Sequence, residues 1–238
     1  MPSDKSHSSN LTIQELLDQF SSSSSRKRRG LTSSIEERYD ELLQIELAGL
    51  HLFDAEGDNW SAGWILQVIN RKKPDFLETL FNGKSGGWFK TPSSKGIDYG
   101  PLQKNLLEEK FEEADRLTTS FLRILAGDSA VERGYVYFSE IASIPSVDLN
   151  TLDRLWIAYS QGRFGFSIQA KILNSLNGRY EMLWPRIGWK KEGVWTRYPR
   201  SFDWTMSAPE GHMPLVNQLR GVRLMDEILK HPAISSRH

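Results

Sequence analysis

Apolar positions recur with a helical period along most of this chain. Leu11 to Phe20 reads as a short helix opened by a capping box, with Thr12 and Glu15 as its two halves. Ile35, Tyr39, Leu42, Leu43, Leu47 and Leu50 fall on one face of a second segment that Ser33 or Ser34 can cap. Trp60, Trp64 and Val68 are spaced by four within Asp58 to Ile69. Pro74 stands where a further helix, carrying Phe76, Leu77, Leu80 and Phe81, would begin. From Ile97 the period runs through Tyr99, Leu102, Leu106, Phe111, Ala114, Leu117, Phe121 and Leu125, with a break near Glu109 and Gly127 as its close. Tyr135 to Ile144 fits strand or helix, and its helical neighbours favour helix. Asp148 is placed as the N-cap of a helix burying Leu149, Leu152, Leu155, Trp156 and Tyr159. Gly162 suits the left-handed residue after it, and Ile168, Ile172 and Leu176 mark the next helix. A last helix is expected from about Pro214 to just before Pro232, with Leu215, Leu219, Val222 and Leu229 as its stripe.

Trp184 to Arg223 breaks this pattern. Trp184, Trp189, Trp195, Tyr198, Phe202 and Trp204 crowd together with Lys or Arg between most of them, and Pro185, Pro199, Pro209 and Pro214 interrupt any long helix or central strand. Two readings stay open from composition alone. One is a rigid loop held to the core by its indoles; the other is a ring-lined cleft with a cationic rim for a flat, apolar, anionic ligand. Charge bears on the choice. The 238 residues are neutral in sum, yet from Asn150 onward 13 Lys and Arg face 7 Asp and Glu, so this part carries +6 and the part before it −6. The aromatic segment is therefore the basic one, which suits an anionic partner.

The remaining stretches set boundaries. Residues 1–30 are expected to be a mostly disordered tail, since SSSSSRKRR has low complexity and no apolar period. Residues 31–82 read as an N-terminal helical module. Residues 83–96, rich in Gly, Ser and Lys, read as a linker; they lack the Gly-Lys-Ser/Thr spacing and the strand of a phosphate loop. Glu108, Glu109, Glu112 and Glu113 are expected on an acidic outer helix face, and Asp153 with Arg154 as a solvated pair. There is no cysteine, so there is no disulfide framework and no thiolate chemistry. Five histidines without HxxxH or HxxE pairing make a built-in metal site an unfavoured expectation. On the last helix, Arg223 lies about 40° from Leu219 and Arg220 roughly 60° further round, so both point to one side of the buried stripe. They could overhang a pocket, or Arg223 could pair with Asp226 or Glu227.

At this point the sequence resembles a known family. The runs DLNTLDRLWIAYSQGRFGFSIQ and WPRIGWKKEGVWTRYPRSFDWTMSAPEGHMPLVNQLRGVR, with IDYGPLQKNLLEEKFEEADRLT upstream, are similar to the Genomes-Uncoupled-Four family over about Ile97 to Ser235. RFGFSIQ, IGWK and LRGVR carry the match. The resemblance implies an all-α protein whose residues 97–238 form a cupped-hand porphyrin-binding domain with long gripping loops. It implies a non-enzymatic carrier of protoporphyrin IX and Mg-protoporphyrin IX that stimulates magnesium chelatase in chlorophyll biosynthesis by working with the large porphyrin-binding subunit. No cofactor is built in. Matched motif by motif, the implied contacts are Phe138, Trp189, Trp195, Tyr198, Phe202, Asn217, Arg220 and Arg223. Tyr198 stands where relatives carry Trp, so retuned binding is expected there.

The implied setting is the cytoplasm of a cyanobacterium or the stroma of a plastid, as a monomer with reversible contact to membranes. The N-terminus lacks a secretory core, and Asp4, Glu15 and Asp18 argue against a transit peptide. Two other classes compete. A nucleic-acid module would use the same aromatics and cations, with steep salt dependence. An enzyme of tetrapyrrole metabolism would use Asp203 or His212 as acid or base.

Overall fold

A computed structural model describes residues 11–81, 87–216 and 222–237. The first helix, α1 (Ile13–Ser22), starts at the expected capping box: Thr12 Oγ1 accepts the Glu15 N–H at 3.2 Å, and the Glu15 carboxylate accepts the Thr12 N–H at 2.7 Å. The expected tail of residues 1–30 is corrected over residues 11–30, and residues 1–10 lie outside the described residues. Beyond α1, residues 25–30 open a second helix, α2 (Ser25–Glu37), and Leu16, Leu17 and Phe20 are fully buried. The reason lies across the core, where Phe20 meets the Trp60 ring edge-on at 5.4 Å and Arg28 stands 5.5 Å over the same ring. One helical face predicted over Ile35 to Leu50 is divided instead. Helix α3 (Tyr39–Leu42) follows a kink at Arg38, whose guanidinium reaches back to the Leu11 carbonyl at 2.6 Å. Short 3-10 turns at Leu47–Gly49 and His51–Phe53 come next.

Helix α4 (Trp60–Lys72) is buried from Trp60 to Ile69 on every side. Its Asn59 side chain caps the Ser61 N–H at 3.0 Å. Helix α5 (Pro74–Leu80) carries Pro74 at its start, as expected. The stretch read as a linker packs against the body where it is described: Trp88 Nε1 donates to the Phe53 carbonyl at 3.1 Å, and buried Phe89 donates its N–H to Gln103 at 2.7 Å. Helices α6 (Gly100–Leu107) and α7 (Phe111–Ala126) are separated at Glu109, which has a positive φ of 57°, so the predicted break is real. Helix α8 (Asp128–Arg133) and a 3-10 helix at Phe138–Ser143 lead to α9 (Ser146–Ala158).

Helix α9 corrects two expectations. Asp148 does not cap it; its carboxylate lies inside the first turn and accepts from the Ser93 hydroxyl, the Ser94 N–H at 2.9 Å and the Tyr99 hydroxyl at 2.9 Å. Asp153 and Arg154 are not solvated, because the loop at residues 55–57 covers Arg154 while Ser167 and Arg237 close over Asp153. Asp153 is 0% exposed, and Arg154 donates to the carbonyls of Ala55 and Gly57. The fit is close: a Cβ on Gly63 of α4 would fall 2.0 Å from the Ala158 carbonyl oxygen. Gln67 of α4 reinforces the joint by donating to the carbonyls of Leu106 and Tyr159.

Helix α10 (Phe166–Ser175) starts where expected, after Gly162 with φ 68°. Helix α11 (Tyr180–Arg186) ends over Pro185. A hairpin of β1 (Lys190–Lys191) and β2 (Val194–Trp195) follows, with Lys190 opposite Trp195. Its two turn residues, Glu192 and Gly193, both have positive φ, which matches the twist of a two-residue hairpin. Among the described residues this is the one sheet, so the fold is all-α. The last two helices are α12 (Val222–Lys230) and α13 (Pro232–Ser235). Residues 214–216 are not helical, against the expectation of a start near Pro214. The stripe shifts accordingly. Leu224, Met225, Ile228 and Leu229 are buried, Val222 is exposed, and Leu219 lies outside the described residues.

Candidate ligand site

A recess of about 60 Å³ lies between three elements. Thr119, Leu122 and Arg123 of α7 form its floor, Val136 and Ile141 one side, and Leu215, Val216, Leu224 and Ile228 the other. The lining is mostly apolar. This volume is well below the ~300–1,000 Å³ of pockets that enclose a drug-sized ligand, so a large flat molecule would lie across the mouth and place only an edge inside.

Phe138 lies in sequence between two lining residues, Val136 and Ile141, and its own ring is 40% exposed. Its position is fixed from both sides. Tyr137 N–H donates to the Glu140 carboxylate at 2.7 Å, and Arg133 pairs with the same carboxylate at 2.7 Å while its guanidinium covers the Tyr137 ring at 4.0 Å. Burial would raise the Glu140 carboxyl, but the Tyr137 N–H and Arg133 outweigh it and hold it below the usual range. Arg223 reaches from α12 to within 5.4 Å of the Phe138 ring centre. Of the two placements open to Arg223, the pairing with Asp226 or Glu227 does not form among the described residues. Asp226 accepts instead from the Tyr180 hydroxyl at 3.0 Å and Lys230 at 2.7 Å.

The aromatic segment divides into an inner and an outer set. Trp189 is 1% exposed; its indole N–H donates to the His212 carbonyl at 2.8 Å, and its ring stacks on Trp184 at 5.7 Å and 9°. Phe202 is buried against His212. These rings staple the segment to the body. His212 serves the same end: its Nδ1 lies 2.6 Å from the Ile187 carbonyl, and burial lowers its pKa. Trp195 and Tyr198 form the outer set, 40% and 51% exposed. Trp195 leans on Trp184 with Lys190 5.4 Å above it. Tyr198 approaches Phe202 at 6.3 Å and interacts through its hydroxyl with Arg116 of α7, one helical turn before the recess floor.

Phe138 and Arg223 thus meet each other, Tyr198 and Phe202 meet near the first turns of α7, and Trp195 stands apart on the hairpin. Asn217 and Arg220 lie outside the described residues, between the recess wall at Val216 and α12. Asp203 commits both oxygens to Thr205 and Ser207. Burial would raise its pKa, but those hydrogen bonds outweigh it and leave it low, unsuited to a general acid.

One residue at the site was missed by the reading of the chain. Asp115 is 1% exposed and accepts the Leu215 N–H at 2.6 Å, so a buried carboxylate ties a recess wall to α7. The sign was available: Asp115 sits four residues after Phe111 and three before Thr118, on the buried stripe of its own helix. Burial pushes its carboxyl up to about 7, against the pull of the Leu215 N–H. Among the described residues no group of three or more His, Asp or Glu converges as a metal site. No described helix is long and apolar enough to cross a membrane.

Comparisons with known proteins bear on this geometry. A family model described as GUN4-like matches residues 92–232. A Ycf53-like protein of Synechocystis sp. is 42% identical over 176 residues, covering 74% of this chain and 76% of the relative. The chloroplastic tetrapyrrole-binding protein of Arabidopsis thaliana is 36% identical over 144 residues, covering 57% of this chain and 54% of that protein. The solved structure of GUN4 from Chlamydomonas reinhardtii is similar at TM-score 0.58 and 38% identity, over 61% of this chain and 93% of that one.

Proposed function

Starting from the fact that the chain belongs to the GUN4-like family, we propose that it binds protoporphyrin IX and Mg-protoporphyrin IX and delivers them as a non-catalytic carrier. In this reading it stimulates magnesium chelatase in chlorophyll biosynthesis through the large porphyrin-binding subunit. It works as a monomer in a cyanobacterial cytoplasm or plastid stroma, in reversible contact with membranes. The observation that carries the reading is the exposed Phe138 with Arg223 over its ring, on the same two elements whose Ile141 and Leu224 line an apolar recess. A porphyrin is flat and apolar on both faces and has two propionates on one edge. Its face would lie on Phe138 and the recess, with Arg223 and Arg220 toward the propionates. Asn217, Trp195 and Tyr198 would complete the grip, while Trp189 and Phe202 would hold the loop that presents them.

Magnitudes assign the roles. Removing ~300 Å² of apolar ligand surface from water contributes about 7–8 kcal/mol gross at roughly 25 cal/mol per Å². Association and ordering offset much of that. A charge-assisted hydrogen bond adds ~1.5–3 kcal/mol. Apolar contact therefore sets affinity and the arginines set orientation.

The test is a titration with a soluble protoporphyrin analogue, followed by tryptophan quenching at low and high salt. Saturable quenching largely retained at high salt supports the reading. Binding that collapses with salt, together with capture of single-stranded nucleic acid, would replace it with the nucleic-acid reading. Chelatase stimulation is then measured with the purified subunits.

A further inference from the structure

We infer that Asp115 is a positioning residue whose buried carboxylate, by holding the Leu215 N–H, sets one wall of the ligand recess according to its charge. The inference rests on the porphyrin reading above for its ligand arm. Its structural arm stands independently on the Asp115–Leu215 bond.

The geometry has three parts. Leu215 and Val216 are wall residues of the recess, and the chain runs from them toward α12, which carries Arg223. Residues 214–216 have no helix or sheet bonds to hold them. Leu215 is held by the bond from its N–H to Asp115, across 100 residues of sequence, together with burial of its own side chain and the bond that Gln169 donates to the neighbouring Pro214 carbonyl. The next residue, Arg116, interacts with the Tyr198 hydroxyl of the aromatic segment. Two neighbouring residues of α7 therefore meet two different segments, the recess wall at Leu215 and the aromatic segment at Tyr198.

The charged and titratable groups facing Asp115 are Glu112 and Arg116 on its own helix and Tyr198 on the aromatic segment. Glu112 opposes its ionisation and Arg116 favours it. Burial is the largest influence and raises the carboxyl to about 7. An amide N–H bonded to a carboxylate is held about twice as strongly as one bonded to a neutral carbonyl. Above neutrality the wall is pinned. Below it Asp115 is protonated, the bond to Leu215 weakens, and the wall loosens.

The variant Asp115→Asn keeps an acceptor of the same shape and cannot ionise, so it stands for the protonated form and is expected to fold. Affinity for a soluble porphyrin is measured for both proteins between pH 6 and 8. The ratio of wild type to variant cancels the ligand's own titration. The ratio is expected to rise about fivefold across this range. In parallel, the Leu215 amide proton is followed by NMR in the free protein. It should titrate with a midpoint near neutrality in the wild type and stay flat in Asp115→Asn. A flat or falling affinity ratio, with or without that titration, overturns the positioning role. A Leu215 amide that does not titrate overturns the latch. If Leu215 titrates but neither protein binds porphyrin at any pH, the latch stands and the ligand reading falls.

Discussion

The guanidinium carbon of Arg223 lies 5.4 Å from the centre of the Phe138 ring, joining the last long helix to the 3-10 turn. At a half-exposed site such a contact contributes about 0.5–1 kcal/mol. Its larger consequence is that an exposed apolar ring and a cation are presented together. Phe138→Ala should lower porphyrin affinity about tenfold or more. Arg223→Lys, which keeps the charge but loses the planar overlap, should fall between wild type and Arg223→Ala. Fluorescence titration reads the order, and unchanged circular dichroism shows that the fold survived. Equal affinity in Phe138→Ala would remove this ring from the site.

Trp189 and Trp195 make a contrasting pair. Trp189→Phe strands the His212 carbonyl and removes part of a stacked pair. It should cost about 1–3 kcal/mol of stability. Trp195 has its ring on the surface, so Trp195→Phe should leave the unfolding midpoint within about 0.5 kcal/mol of wild type. Denaturant unfolding of the two variants checks this. A larger loss at Trp195 would show that the hairpin, not the indole column, holds the segment.

That contrast also shows how much of the site was legible in the sequence. Period and punctuation placed the capping box at Thr12, the start at Pro74, the break at Glu109 and the turn at Gly162, because each depends on local sterics and local hydrogen bonds. Asp153 and Arg154 were misplaced because a helical wheel does not know what covers its outer face. Here the loop at residues 55–57, the start of α10 and Arg237 do, and the face became core. The aromatic cluster was visible as composition, but spacing could not sort rings that staple from rings that face outward. Trp189 is buried with its indole N–H on the His212 carbonyl, while Trp195 faces outward from the hairpin, and spacing in the sequence does not distinguish them. Phe138 and Arg223 are 85 residues apart in numbering, and nothing local pairs them.

Arg237 joins the end of the described chain to the covered face. Its Nε lies 2.9 Å from Asp153 Oδ2, in ion-pair contact without hydrogen-bond alignment, and its other nitrogens reach Asn150 at 2.6 Å and Asp58. Burial raises the Asp153 carboxyl and Arg237 pulls it back. Arg237→Ala would leave that buried carboxylate uncompensated, a loss of about 3–5 kcal/mol. Adding Asp153→Asn removes the stranded charge and should restore most of it. Denaturant unfolding of the single and double variants measures the coupling, and additive losses would show that the pair is not coupled.

Asp115 makes a prediction about stability that needs no ligand. Its carboxyl is raised by burial to about 7 in the native state, whereas in the unfolded chain it titrates near 3.9. Between those values the folded protein holds a proton that the unfolded chain has released. Stability from this group is therefore fully present below about pH 4, is lost as pH rises toward 7, and is absent above it. A shift of about three units sets an upper scale of ~4 kcal/mol. Asp115→Asn is neutral at every pH and still accepts the Leu215 N–H, so it should unfold at a higher temperature than wild type at pH 8. The gap should close toward pH 5. Thermal unfolding of both proteins across this range gives the sign directly. If Asp115→Asn is less stable than wild type at pH 8, the carboxylate is stabilised by more than the Leu215 N–H. If it is more stable, the native protein keeps a charge in its interior at a cost, as expected for a group retained for its hold on the recess wall.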